Sequence, residues 1–332
     1  MRIALDALGT DGAPAPEVSG AVQAVNQLGE GLEVVLVGDR ELVEAELERH
    51  ARNIPEGRLH VHHAPDRVLP GEPPASVIRR RPESSIVRGL QLHKDGEVDA
   101  FVSAGSTGAV MAASLFILRP LPGVDRPAIG TLLPTAHDPV LMLDAGANVD
   151  TRSRQLVQFA HLGNIYAQDL MGVESPRIAL LNIGEEPEKG DELAVEAHGM
   201  LQAEAGLNFI GNVEGREIIR GACDVLVCDG FVGNVLLKFY ESVAEFIIGL
   251  LKSALRETET TIDLEEVFRV LDYSEYGGAP LLGVNGVTII CHGGSPPKAI
   301  HNALGVAAQA VRSNMVSHIA RELAVPSDSA SA

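Results

Sequence analysis

The sequence has no tryptophan, few aromatic residues (4%) and only three cysteines in 332 residues. Scarce aromatic side chains argue against a platform on which nucleic-acid bases stack. Cys223, Cys228 and Cys291 show neither a CxxC motif nor the spacing of a zinc finger. We therefore expect neither a disulfide scaffold nor a zinc module, and a reducing compartment.

Positive charge is also scarce, since 26 Lys and Arg residues face 45 Asp and Glu residues, for a formal net charge of −19. A general nucleic-acid binder needs a positive field to meet phosphates, so we expect no nucleic-acid partner. The N-terminus lacks the apolar stretch and cleavage site of a signal peptide. No apolar run reaches the roughly 18 residues that span a bilayer. These features predict a soluble, cytoplasmic protein.

Short apolar runs alternate with amphipathic helical patterns along most of the chain. Continuous apolar runs such as Val225–Val227 suit strands that helices cover on both faces. The alternation predicts an α/β protein with three α/β/α layers and a largely parallel mixed sheet. We expect one domain over residues 1–325, which could comprise two intertwined lobes, and a flexible tail over residues 326–332. The predicted strands are Arg2–Leu5, Glu33–Val37, Arg58–His62, Asp99–Ser103, Ala128–Leu133, Val140–Leu143, Arg177–Asn182, Asn208–Ile210, Asp224–Cys228 and Val287–Cys291.

One strand-to-helix junction has the composition of a phosphate cradle. Gly105 and Gly108 let the backbone curl around an anion, and Ser103, Ser106 and Thr107 add hydroxyl groups. The helix that follows would present unpaired N–H groups and the positive end of its dipole. The Walker lysine is missing, so ATP chemistry is not implied. An ordinary capped turn is the alternative, although open α/β sheets bind ligands at such junctions.

A second junction follows the run Val225–Val227. Asp229, Gly233 and Asn234 would lie at the carboxyl edge of the sheet, where Asn234 could donate to a developing oxyanion. The alternative is that Asp229 or Asn234 only caps the next helix.

Three more polar turns follow predicted strands, at residues 144–148, 182–190 and 291–295. The middle one holds a single cation, Lys189, in an acidic loop between two glycines. Such a lysine is usually solvated, but it could also fold over an anionic substrate. Five turns of this kind together predict one composite pocket.

Other features favour no metal and no cofactor. His60, His62 and His63 have no carboxylate at a matching spacing, so plain strand and loop positions are preferred to a metal site. No local sequence feature supplies Cys228 with a base, so a small buried residue is preferred to a nucleophile. The stretch Gly9–Gly12 lacks the full GxGxxG pattern, so NAD is not supported.

Two surface features point to partners. Arg79, Arg80, Arg81 and Arg88 form the densest basic region of an acidic chain and could receive an acidic partner, although such runs are usually solvated. The stretch Phe239–Leu255 carries a broad apolar stripe at helical spacing, which predicts a core or dimer-facing helix. Insertion into a membrane surface is the alternative, and the acidic face of this helix is unfavourable for anionic lipid.

The order of several motifs resembles one family. These motifs are Asp6–Asp11, Ser103–Ala109, Asp125–Pro127, Leu143–Val149, Leu181–Glu185, Lys189–Gly190, Phe209–Gly215, Cys228–Val235 and Tyr276–Gly283. The sequence resembles the bacterial phosphate acyltransferases of phospholipid synthesis, the PlsX family. Three positions depart from the pattern: Thr10 stands where the family usually has Gly, Gly12 where it often has His, and Ser106 where it usually has Asn.

The resemblance implies transfer of a long acyl group from acyl carrier protein to inorganic phosphate. The acyl phosphate formed would serve a glycerol-3-phosphate acyltransferase. It also implies an isocitrate/isopropylmalate dehydrogenase-like fold, a homodimer and peripheral contact with the inner face of the cell membrane. The family's catalytic Lys and Asn fall on Lys189 and Asn234. We expect the 103–108 turn to hold phosphate, Lys189 to neutralise charge and Asn234 to meet the oxyanion, beside an apolar groove for the acyl chain.

Three alternatives stay open at the level of sequence. An acetyltransferase that uses coenzyme A is the nearest of them. A dehydrogenase of the same fold would need a nicotinamide pocket and usually a metal held by carboxylates, and no clear motif for either is present. A non-catalytic scaffold for the carrier protein would not depend on Lys189.

Overall fold

Strands and helices alternate along the chain, and the computed structural model describes residues 1–69, 71–255 and 277–324. The fold is the predicted three-layer α/β/α arrangement with a largely parallel mixed sheet. The strands are β1 Arg2–Asp6, β2 Glu33–Gly38, β3 Leu59–His63, β4 Ala100–Ser103, β5 Ala128–Leu133, β6 Val140–Leu143, β7 Arg177–Asn182, β8 Asn208–Glu214, β9 Val225–Val227, β10 Ala279–Leu282 and β11 Val287–Ile290. The predicted tail over residues 326–332 lies outside the described residues.

The helices follow the strands at short intervals. A short 3-10 helix, Ala51–Asn53, directly follows the α-helix that ends at His50. The α-helices are α1 Ala15–Gln27, α2 Arg40–His50, α3 Pro74–Arg80, α4 Ser85–Lys94, α5 Thr107–Ile117, α6 Ser153–Asp169, α7 Glu192–Ala203, α8 Gly215–Ile218, α9 Gly230–Leu255, α10 Pro297–Arg312 and α11 Met315–Leu323.

The chain divides into two compact units. The first comprises Met1–Ile129, Gln168–Val173 and Gly277–Ala332, and the second comprises Gly130–Ala167 and Glu174–Tyr276.

In the first unit the strand order is β3-β2-β1-β4-β11-β10, and the first two residues of β5 pair with β10. The first five strands are parallel, whereas β10 runs antiparallel to β11. Helix α1 packs against α10, and α4 packs against β1. The core side chains Ile3, Leu5, Leu36 and Phe101 are fully buried. Cover on both faces explains why these strands read as continuous apolar runs.

In the second unit the order is β5-β6-β9-β7-β8. Strands β6, β9, β7 and β8 are parallel, and β5 runs antiparallel to β6. Every residue of β6 and β9 is fully buried, as is Phe159 of α6. The unit thus has a core of its own, built from two central strands and the helix that follows β6.

Nine of the ten predicted strands agree with the structure to within one residue at either end. The tenth, β8, continues to Glu214, because Gly211 takes a positive φ of 102° at a register shift against β7 and the strand resumes after it. Strand β10 was not predicted. It has four residues, includes Pro280 and runs antiparallel, so it lacks the long apolar signature of the other strands.

Helix α9 exposes much of its apolar surface. Phe239 and Phe246 leave 68% and 66% of their surface exposed, and Leu250 is exposed as well. These side chains of the stripe are therefore not part of the core of the described chain. The side chain of Leu255, at its end, lies outside the described residues. No helix among the described residues is long and apolar enough to cross a membrane.

Candidate active site

Three parallel neighbours of the first unit end at one edge of its sheet. Strand β4 pairs with β1 on one side and with β11 on the other. The amide of Cys291 donates to the carbonyl oxygen of Ser103 at 2.8 Å. The amide of Asp11 donates to the carbonyl oxygen of Gly293, also at 2.8 Å. The predicted turns 103–108 and 291–295 therefore lie side by side, next to the loop that follows β1.

Ser103 is buried beneath its turn. Its hydroxyl donates to Asp6 Oδ2 at 2.7 Å and accepts from the Gly105 amide at 3.0 Å. Burial raises the pKa of Asp6, while hydrogen bonds from Ser85, Ser103 and the Leu8 amide oppose that rise. Because the Ser103 hydroxyl already forms these two hydrogen bonds, it helps to fix the shape of the turn. Direct contact between this hydroxyl and phosphate stays a prediction.

The start of α5 has the open donors that an anion needs. The helix begins at Thr107, which is exposed, while Gly105, Ser106 and Gly108 are half-buried. The Ser106 side chain forms no capping hydrogen bond. The first N–H groups of a helix have no partner within the helix, and the dipole makes this end positive. The turn is therefore chemically suited to an anion, and the binding of phosphate there stays a prediction.

The loop after β1 packs directly on this turn. A Cβ atom at Gly9 would lie 2.8 Å from the amide nitrogens of Ala104 and Gly105, so only glycine fits there. Thr10 donates through its amide to Glu17 Oε1 at 2.6 Å and through its hydroxyl to Glu17 Oε2 at 3.0 Å. Arg67 donates to the Thr10 carbonyl at 2.7 Å. Burial raises the pKa of Glu17 to about 7.

Three parallel strands of the second unit also share an edge. Strand β9 lies between β6 and β7, so the predicted turns 144–148, 182–190 and 228–234 follow neighbouring strands. Asp144 is fully buried at the first of these turns. Its carboxylate accepts from the amides of Gly146, Ala147 and Asn148 at 3.2, 3.0 and 2.7 Å. This carboxylate thus holds the whole turn in place.

Asn234 is the fifth residue of α9, and it is exposed. Asp229 caps this helix, because its Oδ1 accepts from the amides of Phe231 and Val232 at 2.9 Å each. A Cβ atom at Gly233 would lie 2.0 Å from the Asp144 carbonyl oxygen, so glycine is required for α9 to start this close to β6. Asp229 and Gly233 therefore position Asn234, and any substrate contact by them stays a prediction.

Lys189 is exposed in the loop between β7 and α7. Its aliphatic stem lies over Gly184, where a Cβ atom would come within 2.9 Å of Lys189 Cγ. Asp191 caps α7 by accepting from the Ala194 amide at 2.8 Å. The loop that carries Lys189 therefore leads directly into the capped start of α7.

Cys228 and two histidines of β3, His60 and His63, make ordinary structural contacts. Burial raises the pKa of the Cys228 thiol, so it does not supply a thiolate near neutral pH. His60 contacts Glu33, with Nε2 3.0 Å from Oε2, and His63 accepts from the Arg40 amide at 3.1 Å. In the part of the chain that the structure describes, no three His, Cys, Asp or Glu residues are grouped to hold a metal ion.

Two of the four arginines of the basic region are in ion pairs. Arg81 lies 3.2 Å from Glu72, and Arg88 contacts Glu83 through two nitrogens. Arg79 and Arg80 are exposed in the last turn of α3. The role of this region in docking stays a prediction.

The five predicted turns thus form two groups, one in each unit, and their union in one pocket stays a prediction. Sequence reasoning did not single out Asp6 and Asp144 as organisers. The tripeptide Leu-Asp-Ala occurs at the carboxyl end of both β1 and β6, and this repeat is the signal that could have found them. Sequence reasoning also missed Glu17. The signal that could have found it is Thr10, which departs from the family pattern and donates two hydrogen bonds to Glu17.

Comparison with known proteins identifies relatives along nearly the whole chain. Residues 1–318 match the family model described as fatty acid synthesis protein. The chain is 50% identical over 330 residues to the phosphate acyltransferase of Desulforamulus reducens, with 97% of each chain covered. It is 49% identical over 327 residues to the phosphate acyltransferase of Heliobacterium modesticaldum, with 96% of each covered.

Solved structures share the fold. A phosphotransacetylase from Streptococcus pyogenes superposes with a TM-score of 0.62 at 17% identity, and 94% of each chain is covered. A branched-chain phosphotransacylase from Enterococcus faecalis gives a TM-score of 0.61 at 15% identity, covering 94% of this chain and 99% of the other. At such low identity the likeness establishes the fold alone.

Proposed function

The chain belongs to the fatty acid synthesis protein family, and we propose that it transfers a long-chain fatty acyl group from acyl carrier protein to inorganic phosphate. The product is an acyl phosphate, which a glycerol-3-phosphate acyltransferase would consume in phospholipid synthesis. The names of the relatives support phosphate as the acceptor. The names do not specify the length of the acyl chain or its carrier. Exposed apolar residues of the second unit support a long acyl chain.

The observation that carries the proposal is the mixture of side chains at the ends of β6, β7 and β9. The exposed polar groups of Lys189 and Asn234 follow two of these strands. Large apolar side chains are exposed in the segments that follow the same three strands: Ile183 is 81% exposed, Val149 66% and Phe231 62%. An acyl donor needs this combination, because its carbonyl develops charge while its chain gains from leaving water.

The reaction needs no covalent intermediate on the protein. Hydrogen phosphate is already a nucleophile near neutral pH, and one of its oxygens attacks the thioester carbonyl carbon. A C–O bond forms, the C–S bond breaks, and the proton of the phosphate passes to the departing thiolate. The raised pKa of the buried Cys228 thiol agrees with direct attack.

Each predicted residue has a role in this scheme. The donors at the start of α5, in the 103–108 turn, hold phosphate for attack. Lys189 neutralises negative charge, and the Asn234 amide donates to the tetrahedral oxyanion. Asp229 and Gly233 hold Asn234 at the start of α9.

Two partners complete the proposal. Acyl carrier proteins are acidic, so docking on this acidic enzyme requires a local positive surface, and Arg79 and Arg80 with Arg81 and Arg88 are the best candidates. The exposed stripe of α9 supports a homodimer, because an apolar area of this kind is normally covered. Contact with a membrane surface stays a prediction.

The test is to incubate the protein with palmitoyl–acyl carrier protein and phosphate and to trap acyl phosphate with hydroxylamine. We expect hydroxamate formation that depends on phosphate and falls by orders of magnitude in Lys189→Ala. A parallel arm with acetyl-coenzyme A and phosphate tests the nearest alternative. Each buried methylene contributes about 0.8 kcal/mol, so the long-chain donor should have the far lower KM. Faster turnover of acetyl-coenzyme A would refute the long-chain assignment, and full activity of Lys189→Ala would refute its role.

A further inference from the structure

Two asparagines hold the main chain of the loop that carries Lys189. Nδ2 of Asn182 donates to the Lys189 carbonyl oxygen at 2.9 Å. Nδ2 of Asn212 donates to the Glu186 carbonyl oxygen at 2.9 Å, and the Lys189 amide donates to that same oxygen at 3.1 Å. Side chains of β7 and β8 therefore hold the loop on both sides of the Lys189 Cα atom.

Asn212 is itself held by His198 from α7. Both side chains are buried, and His198 Nδ1 lies 3.0 Å from Asn212 Oδ1. Because Asn212 donates through Nδ2 to Glu186, its Oδ1 is the acceptor, so Nδ1 of His198 carries the hydrogen. The His198 ring meets Phe209 edge to face, with centroids 5.2 Å apart at 74°. The amide of Asn212 is thus fixed in one orientation by a buried neighbour.

These contacts matter because the loop has little else to hold it. Residues 185–190 are all exposed, so burial of apolar surface contributes little to its conformation. A lysine has a long flexible side chain, and the place of its ammonium group depends on where its backbone is held. A displacement of about 1 Å at a reacting centre can lower a rate roughly 100-fold.

We propose that Asn212 is a positioning residue for Lys189, and that His198 orients the Asn212 amide for this task. The inference rests on the proposed function, since it assumes that Lys189 neutralises charge on the substrates. It assigns a role to the motif Phe209–Gly215, which contributes no group to the chemistry itself.

The main test uses Asn212→Asp, which keeps the shape and the acceptor but replaces the Nδ2 donor by an oxygen facing the Glu186 carbonyl. We expect faster hydrogen exchange at the amides of residues 183–190. We also expect kcat/KM for phosphate to fall roughly 100-fold with the KM for acyl carrier protein unchanged. In the Lys189→Ala background the same change should alter the residual rate less than threefold, since the residue that Asn212 positions is gone.

The matched control is Asn208→Asp on the same strand. Asn208 is exposed, and its Nδ2 donates to the Ser175 carbonyl at 3.3 Å, away from the loop. It should match wild type in exchange and in rate. A second variant, His198→Phe, keeps the ring against Phe209 but removes the donor, and it should give a smaller loss of the same kind.

The outcomes separate this inference from the proposed function. A folded Asn212→Asp protein with unchanged loop exchange and rate overturns the inference, as does exchange that rises equally over the whole second unit. If Asn212→Asp does not fold, the same criteria apply to His198→Phe. Full activity of Lys189→Ala would instead refute the proposed role of that lysine, while the exchange measurement would still report whether Asn212 holds the loop.

Discussion

The Ser103 hydroxyl donates a 2.7 Å hydrogen bond to the Asp6 carboxylate, and both side chains are buried. This bond ties the end of β4 to the end of β1, two strands that are parallel neighbours. Since the same hydroxyl accepts from the Gly105 amide, the turn that would hold phosphate is shaped from beneath by a pair of side chains 97 residues apart.

Replacing Ser103 by alanine should therefore disturb the turn. The Asp6 carboxylate and the Gly105 amide would each lose a buried partner, at a cost of about 1–3 kcal/mol in the free energy of unfolding. We expect the KM for phosphate to rise, measured by hydroxamate trapping, together with a lower Tm. The matched control is Ser114→Ala in α5, where the buried hydroxyl has no hydrogen-bond partner among the described residues and its removal should be nearly neutral. Equal effects of the two changes would contradict the role of Ser103.

Asn234→Ala should impair the chemical step without destabilising the protein. Loss of an oxyanion donor typically lowers kcat about 100- to 1,000-fold. Asn234 is exposed, so its removal should leave the free energy of unfolding within about 0.5 kcal/mol of wild type. Ser242→Ala, an exposed change farther along α9, serves as the control for both measurements. A kcat near that of wild type in Asn234→Ala would exclude the donor role.

Glu17 should make stability depend on pH. Burial raises its pKa to about 7 from a usual 4.5, so the folded protein binds a proton more tightly than the unfolded chain. The stabilisation is complete below about pH 4.5 and is lost as the pH rises through 7, up to about 3 kcal/mol. The groups around Glu17 are Thr10, which donates two hydrogen bonds to it, Asp6, whose charge raises the pKa further, Cys291, and Arg67 on the Thr10 carbonyl.

Glu17→Gln removes this titration. From pH 5 to pH 8, the free energy of unfolding of wild type should therefore fall relative to that of the variant. Urea unfolding at a series of pH values measures it. Glu30→Gln, an exposed change in the same unit, should show no such trend. A constant difference between wild type and Glu17→Gln across this range would contradict the prediction.

The basic region should act on carrier-protein docking alone. Arg79→Glu with Arg80→Glu should raise the KM for acyl carrier protein at low salt and leave the KM for phosphate unchanged, because charges at an interface rim act mainly on association. We expect smaller effects at Arg81 and Arg88, which are paired with Glu72 and Glu83. Arg52→Glu, an exposed charge reversal elsewhere in the first unit, is the control. Unaltered carrier-protein kinetics at low salt would remove this region from docking.

The stripe of α9 should be the dimer contact. Phe239→Glu with Phe246→Glu would place charges in an apolar interface, so light scattering should report a lower mass than for wild type. Phe116→Glu is a suitable control, since Phe116 is another exposed phenylalanine that lies on α5. A wild-type protein that is monomeric at micromolar concentration would refute the homodimer.

The sequence alone determined the fold class and most of the strands. Apolar runs such as Val225–Val227 are continuous because helices cover both faces of a parallel strand, and this local signal needs no knowledge of partners. Strand β10 escaped because a short antiparallel strand with a proline carries no such signal. The same reasoning singled out Lys189 and Asn234 as candidates, since both fall in polar segments that follow predicted strands, where ligands bind in open α/β sheets.

Only the tertiary structure decided which polar groups are engaged. Ser103 is bonded to Asp6, Asn212 to Glu186, and Thr10 to Glu17, while Lys189 and Asn234 are exposed. Composition identifies a hydroxyl or an amide but not the partner that it meets after folding, because that partner is often distant in the chain. A buried polar group must find such a partner or incur a cost of about 1–3 kcal/mol, so the folded arrangement alone separates the residues that shape the turns from those that stay exposed.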